Sequence, residues 1–283
     1  MDNNSMILYE LSGKANSLMR NSFDICAPLY KKESGIPDDI QFNFIQLFSS
    51  CYLSSESALI LIANYRLWDT EILYRSVLEG TIKLFYLTSG SVQEIAKKSS
   101  EFWIEIPECK RISRHYKAKE LLEKTDDGSP KNLPLREVLL TDIELHELTE
   151  KYPNKYRRQL EQKWSFSEMV KVLSNSDIQG FDMIVALYYG YSLSSHLTHQ
   201  DGDGIGLIWD RNNRDTKRRE ALELAHGARL ISDIISLAIL RAGLYLRFYK
   251  IGTESLVLLS RELNALQSIT SKYYDEWLEI EYV

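Results

Sequence analysis

The sequence predicts an all-α protein, built as one multi-helix domain over residues 1–283 with long antiparallel helices around a buried central helix. Three observations carry that expectation. Apolar residues recur at spacings of three and four along most of the 283 residues, and no alternating strand pattern persists. Only 6 Pro and 13 Gly occur, in a few clusters, which favours long helices over many short strands. The composition, 44% hydrophobic and 26% charged, is that of an ordinary globular chain. A chain of this length buries about 75% of the surface it exposes when unfolded.

The elements follow in order. A first amphipathic helix is expected from Ser5 to Ala27, stopped by Pro28. The stretch "GIPDDIQ" places Pro and two acidic residues at the start of a second helix, which runs to Asn64. Asp69 is the expected cap of a third, Thr70 to Thr88, stopped at Ser89-Gly90. A further helix is expected to be interrupted near Pro107, and "TDDGSPKNLP" is the clearest loop. Helices near Leu135–Lys151, after the capping box "SFSE", and from Asp177 come next. A "DGDGIGLIWD" loop, a long helix from Arg214 to Lys250 and a last helix over 253–281 complete the chain.

Charge and cysteine usage narrow the partners. A net charge of -6 argues against non-specific coating of nucleic acid, which depends on neutralising phosphates. Local basic clusters remain: Arg111, Arg114, Lys117 and Lys119, then Arg211, Arg214, Lys217, Arg218 and Arg219, each read first as a solvated helix face. Cys26, Cys51 and Cys109 are an odd number at wide spacing, which fits a reducing compartment. Asp2, Asn3 and Asn4 stand where a signal peptide would be basic. No apolar run reaches the ~20 residues of a membrane span, "IISLAILRAGLYL" being broken by Arg241. The expectation is a cytoplasmic protein with no membrane partner.

The third helix is apolar nearly all round, yet Arg75 and Glu79 share one stripe of it. Charges withdrawn from water need partners. One reading is an internal Arg75–Glu79 bridge, aided by Glu71 one turn earlier. The other makes Arg75 and Glu79 one wall of a polar pocket. The stretch "YYGYSLSSHLTHQDGDGIG" supplies a matching face, with Tyr188, Ser192, Ser195, His196 and His199 at helical spacing. The expected catalytic set is therefore Arg75, Glu79, His196 and His199. Tyr188 and Ser192 would bind ligand, with Asp201 and Asp203 at the mouth.

The segments "LYRSVLEGTIKLFYL", "KWSFSEM" and "YYGYSLSSHLTH" resemble an all-helical bacterial family known as domain-of-unknown-function family 5677. The resemblance rests on Arg75, Ser76 and Glu79, on Trp164 and Ser165, and on Tyr188, Ser192 and His196. It spans about 40–240, leaving helices 5–27 and 253–281 as additions. It implies that the two helices come together, and carries no established activity.

Residue spacing discriminates between specific chemistries. A helical zinc motif needs histidines four apart with Glu after the first; His196 and His199 are three apart and Leu197 follows. A calcium loop starting at Asp201 fails at Ile205 and at Asn212, where a bidentate Glu is required. No metal and no cofactor is therefore expected. No phosphate loop and no nucleophile elbow is present. "RREALELAH" is similar to the Arg–His pattern of the HEPN superfamily of helical ribonucleases and nucleotide-binding domains, which implies Arg219 and His226 as an alternative catalytic pair. A plainer reading makes Arg219–Glu223 an ordinary helix ion pair.

Two functions stay open on these residues. One is a metal-independent ribonuclease effector of the toxin or phage-defence type, acting on RNA. The other is a binding or sensor module that holds a small anionic ligand or nucleotide without turnover. Homo-oligomerisation is open too, since Tyr273, Tyr274, Trp277 and Tyr282 suit either an interface or the core.

Overall fold

A computed structural model describes residues 3–31, 35–175 and 182–282. Every described element is helical, and no strand occurs among the described residues. The chain runs through α1 (Asn3–Cys26), α2 (Asp38–Ala63), α3 (Leu67–Thr88), α4 (Val92–Ser100), α5 (Ile106–Thr125) and the single-turn α6 (Leu133–Arg136). It continues through α7 (Asp142–Lys151), α8 (Asn154–Lys163), α9 (Phe166–Ser174), α10 (Asp182–His199), α11 (Gly202–Asn212), α12 (Thr216–Phe248) and α13 (Ser255–Tyr282). Two compact units emerge, Met1–Thr88 with Val172–Val283, and Ser89–Lys171. The 125–134 loop lies inside the second unit.

In the first unit α3 packs against α2, α10 and α12. Its Tyr74, Val77, Leu78, Ile82, Leu84, Phe85, Tyr86 and Leu87 are buried, while Ile72 reaches solvent. Gly80 lets α2 and α3 approach closely, because a Cβ there would stand 2.4 Å from the Cys51 Sγ. Phe44 and Phe48 of α2 meet Tyr245 of α12 at ring separations of 5.1 and 5.0 Å. Arg241, which the sequence offered only as the break in an apolar run, is buried in this core. It donates to Thr81 Oγ1 at 2.9 Å and Ser55 Oγ at 3.0 Å, and no carboxylate faces it among the described residues. Burial lowers its pKa.

Several local expectations need correction. Asp69 does not cap α3, which starts at Leu67; Asp69 instead sits in the first turn, where negative charge suits the dipole. The chain is not broken at Pro107. A π turn, Glu101–Glu105, precedes α5, and its wider ring absorbs the hydrogen bond that proline cannot donate. The expected Leu135–Lys151 helix is two pieces, α7 being started by a Thr141–Glu144 capping box. "DGDGIGLIWD" is not a loop but α11, capped by Asp201. The expected start at Asp177 lies outside the described residues. α2 is long and apolar enough, with a mean hydropathy of 1.3 over its best window, to cross a membrane by length and composition, which the reading of apolar runs overlooked.

Three helices end on a non-glycine residue in the left-handed region: Tyr65 (φ 59°), Gln200 (φ 49°) and Lys250 (φ 55°). After α2, Arg66 N–H donates to Leu61 O and Tyr65 N–H to Ile62 O, both at 2.9 Å, which is the Schellman closure. The conformation costs about 1–2 kcal/mol for a residue with a Cβ.

Candidate functional site

The residues first expected to form the site are only partly united. Arg75 and Glu79 make no bridge. Lys83 donates to Glu79 at 2.6 Å, in the favoured order of Glu four residues ahead of Lys. Arg75 donates to the Tyr191 hydroxyl at 2.8 Å and lies over that ring at 4.7 Å. So α3 and α10 do meet, but at Tyr191. His196 turns to Asp201, with Nδ1 2.7 Å from Oδ2, and no bond joins it to Arg75 or Glu79. That hydrogen bond raises the His196 pKa, and it joins two groups that are each nearly half exposed.

Ser192 and His199 are exposed on α10, and Ser195 is half-buried. The side chain of Tyr188 lies outside the described residues. Asp201 accepts from Gly204 N–H at 3.0 Å as the cap of α11, and Gly204 abuts the His196 carbonyl so closely that a Cβ would come within 2.5 Å. This approach brings Asp203 into the group as well. The ligand atoms of His196, Asp201 and Asp203 lie within 4.8 Å of one another, so these are the described residues able to share a cation. Trp164 belongs to the second unit, where its Nε1 donates to the buried Glu101 at 3.0 Å beside Lys163 at 2.6 Å.

The buried charge of α3 is Glu71, only 1% exposed. Ser194 of α10 donates to its Oε2 at 2.7 Å. His226 Nε2 stands 2.7 Å from Oε1, and Arg229 donates to the same oxygen. Arg229 also reaches Asp233 at 3.0 Å. Burial works against ionisation of Glu71, yet Arg229, His226 and Ser194 together hold its carboxyl down at about 2. Burial lowers the His226 pKa, more than Glu71 raises it. The histidine is thus neutral near pH 7. A carboxylate only accepts, so Nε2 carries the proton and Nδ1 keeps its lone pair.

His226 opens onto a pocket of about 220 Å³ lined by Tyr65, Leu67, Trp68, Arg211, Asn212, Arg219, Leu222 and Glu223. The ordinary Arg219–Glu223 helix pair is not made. Glu223 accepts instead from the Tyr65 hydroxyl at 2.9 Å, and the left-handed backbone of Tyr65 belongs to the pocket's lip. The second basic cluster sorts cleanly. Arg214 is taken by Asp210 and Glu281, at 3.1 and 3.0 Å, and Arg218 stands 3.7 Å from Asp215. Arg211 and Arg219 make no ion pair among the described residues, and both line the pocket. Arg211 lies 5.2 Å over the Trp68 ring, and burial lowers its pKa.

Two arginines with no ion pair among the described residues, a neutral histidine and a carboxylate in one concavity can hold an oxyanion and accept a proton. The alternative pair Arg219 and His226 lines one pocket. Sequence reasoning missed Trp68, Ser194, Arg211 and Arg229. Of these, Arg229 carried a signal in its i,i+4 charge pair with Asp233, and Arg211 one in its basic cluster, which was read as a solvated face. The family model described as "Family of unknown function (DUF5677)" matches residues 41–216, well over half of the chain. No curated protein and no solved structure matches.

Proposed function

The chain belongs to the DUF5677 family, whose matched region ends at residue 216. On the geometry of the Arg211–Arg219–His226 pocket we propose that it is a metal-independent ribonuclease of the bacterial effector type. The observation that carries the proposal is that Arg211 and Arg219, neither in an ion pair among the described residues, line one pocket with a histidine whose Nε2 is anchored to a buried carboxylate. His226 Nδ1 takes the proton of a ribose 2′-hydroxyl, and the 2′-oxygen attacks the adjacent phosphorus. The P–O5′ bond breaks, the leaving 5′-oxygen takes a proton from water, and the hydroxide so formed recovers the proton held by His226, which regenerates the neutral base. Arg219 and Arg211 stabilise the charge that builds on the phosphoryl oxygens. Glu71 holds the ring tautomer and steadies the imidazolium that forms, as the carboxylate of a catalytic triad does.

The base must be neutral, and burial depresses its pKa below 6.5, so activity is flat above pH 6.5 and falls only below it. Expression in a bacterial host should arrest growth, and Arg219→Ala or His226→Ala should relieve the arrest. No arrest, or arrest undiminished in both variants, overturns the effector reading.

A second reading, a sensor that holds a small anionic nucleotide without turnover, is favoured by one observation. His226 is the one histidine lining the pocket, and the described residues supply no second imidazole as a general acid. Binding of RNA without strand scission would select it.

A further inference from the structure

We infer that Glu223 is the specificity residue of this pocket, and that it selects a ribose phosphate over its deoxyribose counterpart by accepting a hydrogen bond from a sugar hydroxyl. The inference rests on the anion-binding reading of the pocket and adds what else the ligand must present.

The pocket is of mixed sign. Arg211 and Arg219 call for an anion, whereas Glu223 would repel one. A carboxylate retained beside a phosphate site must meet a donor, or it weakens binding. Glu223 is also not neutralised within the pocket. Its Oε2 accepts from the Tyr65 hydroxyl at 2.9 Å, and Arg219, one turn away, does not pair with it. Tyr65 fixes the carboxylate's orientation from a backbone conformation that a non-glycine residue enters at a cost.

Helical spacing sets the reach. Arg219, Glu223 and His226 lie at i, i+4 and i+7 on one face of α12, so successive side chains stand about 5–6 Å apart. A ligand spanning Arg219 and Glu223 therefore carries its anion and its donor within a few ångströms of each other. A 3′-phosphorylated ribose meets that requirement through its 2′-hydroxyl, which the deoxyribose counterpart lacks. The hydroxyl has one hydrogen to donate, so it points to Glu223 in the resting complex and turns to the neighbouring His226 Nδ1 when the reaction begins.

The test uses uridine 3′-monophosphate and 2′-deoxyuridine 3′-monophosphate as probes, titrated calorimetrically into the full chain. Wild type should bind the ribonucleotide about tenfold more tightly, the size of one hydrogen bond to a charged group. Glu223→Gln, which keeps an oxygen for Tyr65, should bring the ratio toward one, and Glu223→Ala should abolish it. Both variants should bind the deoxyribonucleotide no more weakly than wild type does. Equal binding of the two probes by wild type overturns the inference alone, as does a ratio unchanged in Glu223→Gln. Binding of neither probe, or binding indifferent to Arg219→Ala, overturns the anion-site reading and this inference with it.

Discussion

Replacing Glu71 with Gln removes the buried charge while keeping the side chain's size, and the cost follows from the structure. The carboxyl is held at about 2 against an ordinary 4.5, a displacement of about 2.5 units. At 1.36 kcal/mol per unit, the ionised form is worth roughly 3 kcal/mol more to the folded chain than the neutral one. The amide oxygen can accept from Ser194 or from His226 and Arg229 but not from both sides, and Arg229 keeps Asp233, so the lost charge sets a lower bound on the effect. A carboxyl held down in the folded state stabilises the fold above its unfolded pKa, and that contribution is lost as pH falls from 4.5 toward 2. Urea unfolding of wild type and Glu71→Gln, followed by tryptophan fluorescence, should differ by about 3 kcal/mol or more at pH 7. The gap should narrow steadily below pH 4.5. A gap that stays constant down to pH 3, or one under about 0.5 kcal/mol at neutrality, would refute the argument that Glu71 is a charged anchor.

Arg241→Met should leave stability unchanged or raise it by about 1–3 kcal/mol in urea melts, because a buried cation without a carboxylate is removed. Ser55 and Thr81 keep their own bonds to Cys51 O and Val77 O; a loss above 1 kcal/mol would show that Arg241 anchors the core. Gly80→Ala should destabilise by about 1–3 kcal/mol through its clash with Cys51 Sγ, and Cys51→Ala should recover much of that loss in the double variant. Strictly additive effects would place the clash elsewhere. Lys250→Gly should stabilise by about 1 kcal/mol in the same melts by relieving its left-handed backbone, whereas Lys250→Ala should not.

The helical class and most helix positions were legible because the apolar spacing is sustained and the stops are local. What failed was the rotational phase of the charges on α3. Glu71, Arg75, Glu79 and Lys83 are each four residues apart, and each such step winds about 40° around the helix. The stripe that looks single in the sequence therefore leaves the core as it proceeds: Glu71 is buried, whereas Glu79 and Lys83 are partly exposed. A charge stripe shows that some member is buried without showing which. The Glu71 partners come from α10 and α12, more than 120 residues away, and no local pattern announces Ser194. "DGDGIG" misled for a different reason: glycines usually end helices, yet here Asp201 caps one and Gly204 permits its contact with α10. The Arg219–His226 pair was visible as spacing; its removal from the ordinary ion pair with Glu223 depended on Tyr65, at the far end of another helix.

The most direct measurement of the central claim is cleavage of a labelled single-stranded RNA by purified protein in the presence of a metal chelator. The account predicts fragments ending in 2′,3′-cyclic phosphate, a rate that declines only below pH 6.5, and a loss of about 100-fold or more in Arg219→Ala. Intact RNA after prolonged incubation with wild type, or cleavage by Arg219→Ala and His226→Ala at the wild-type rate, would contradict it.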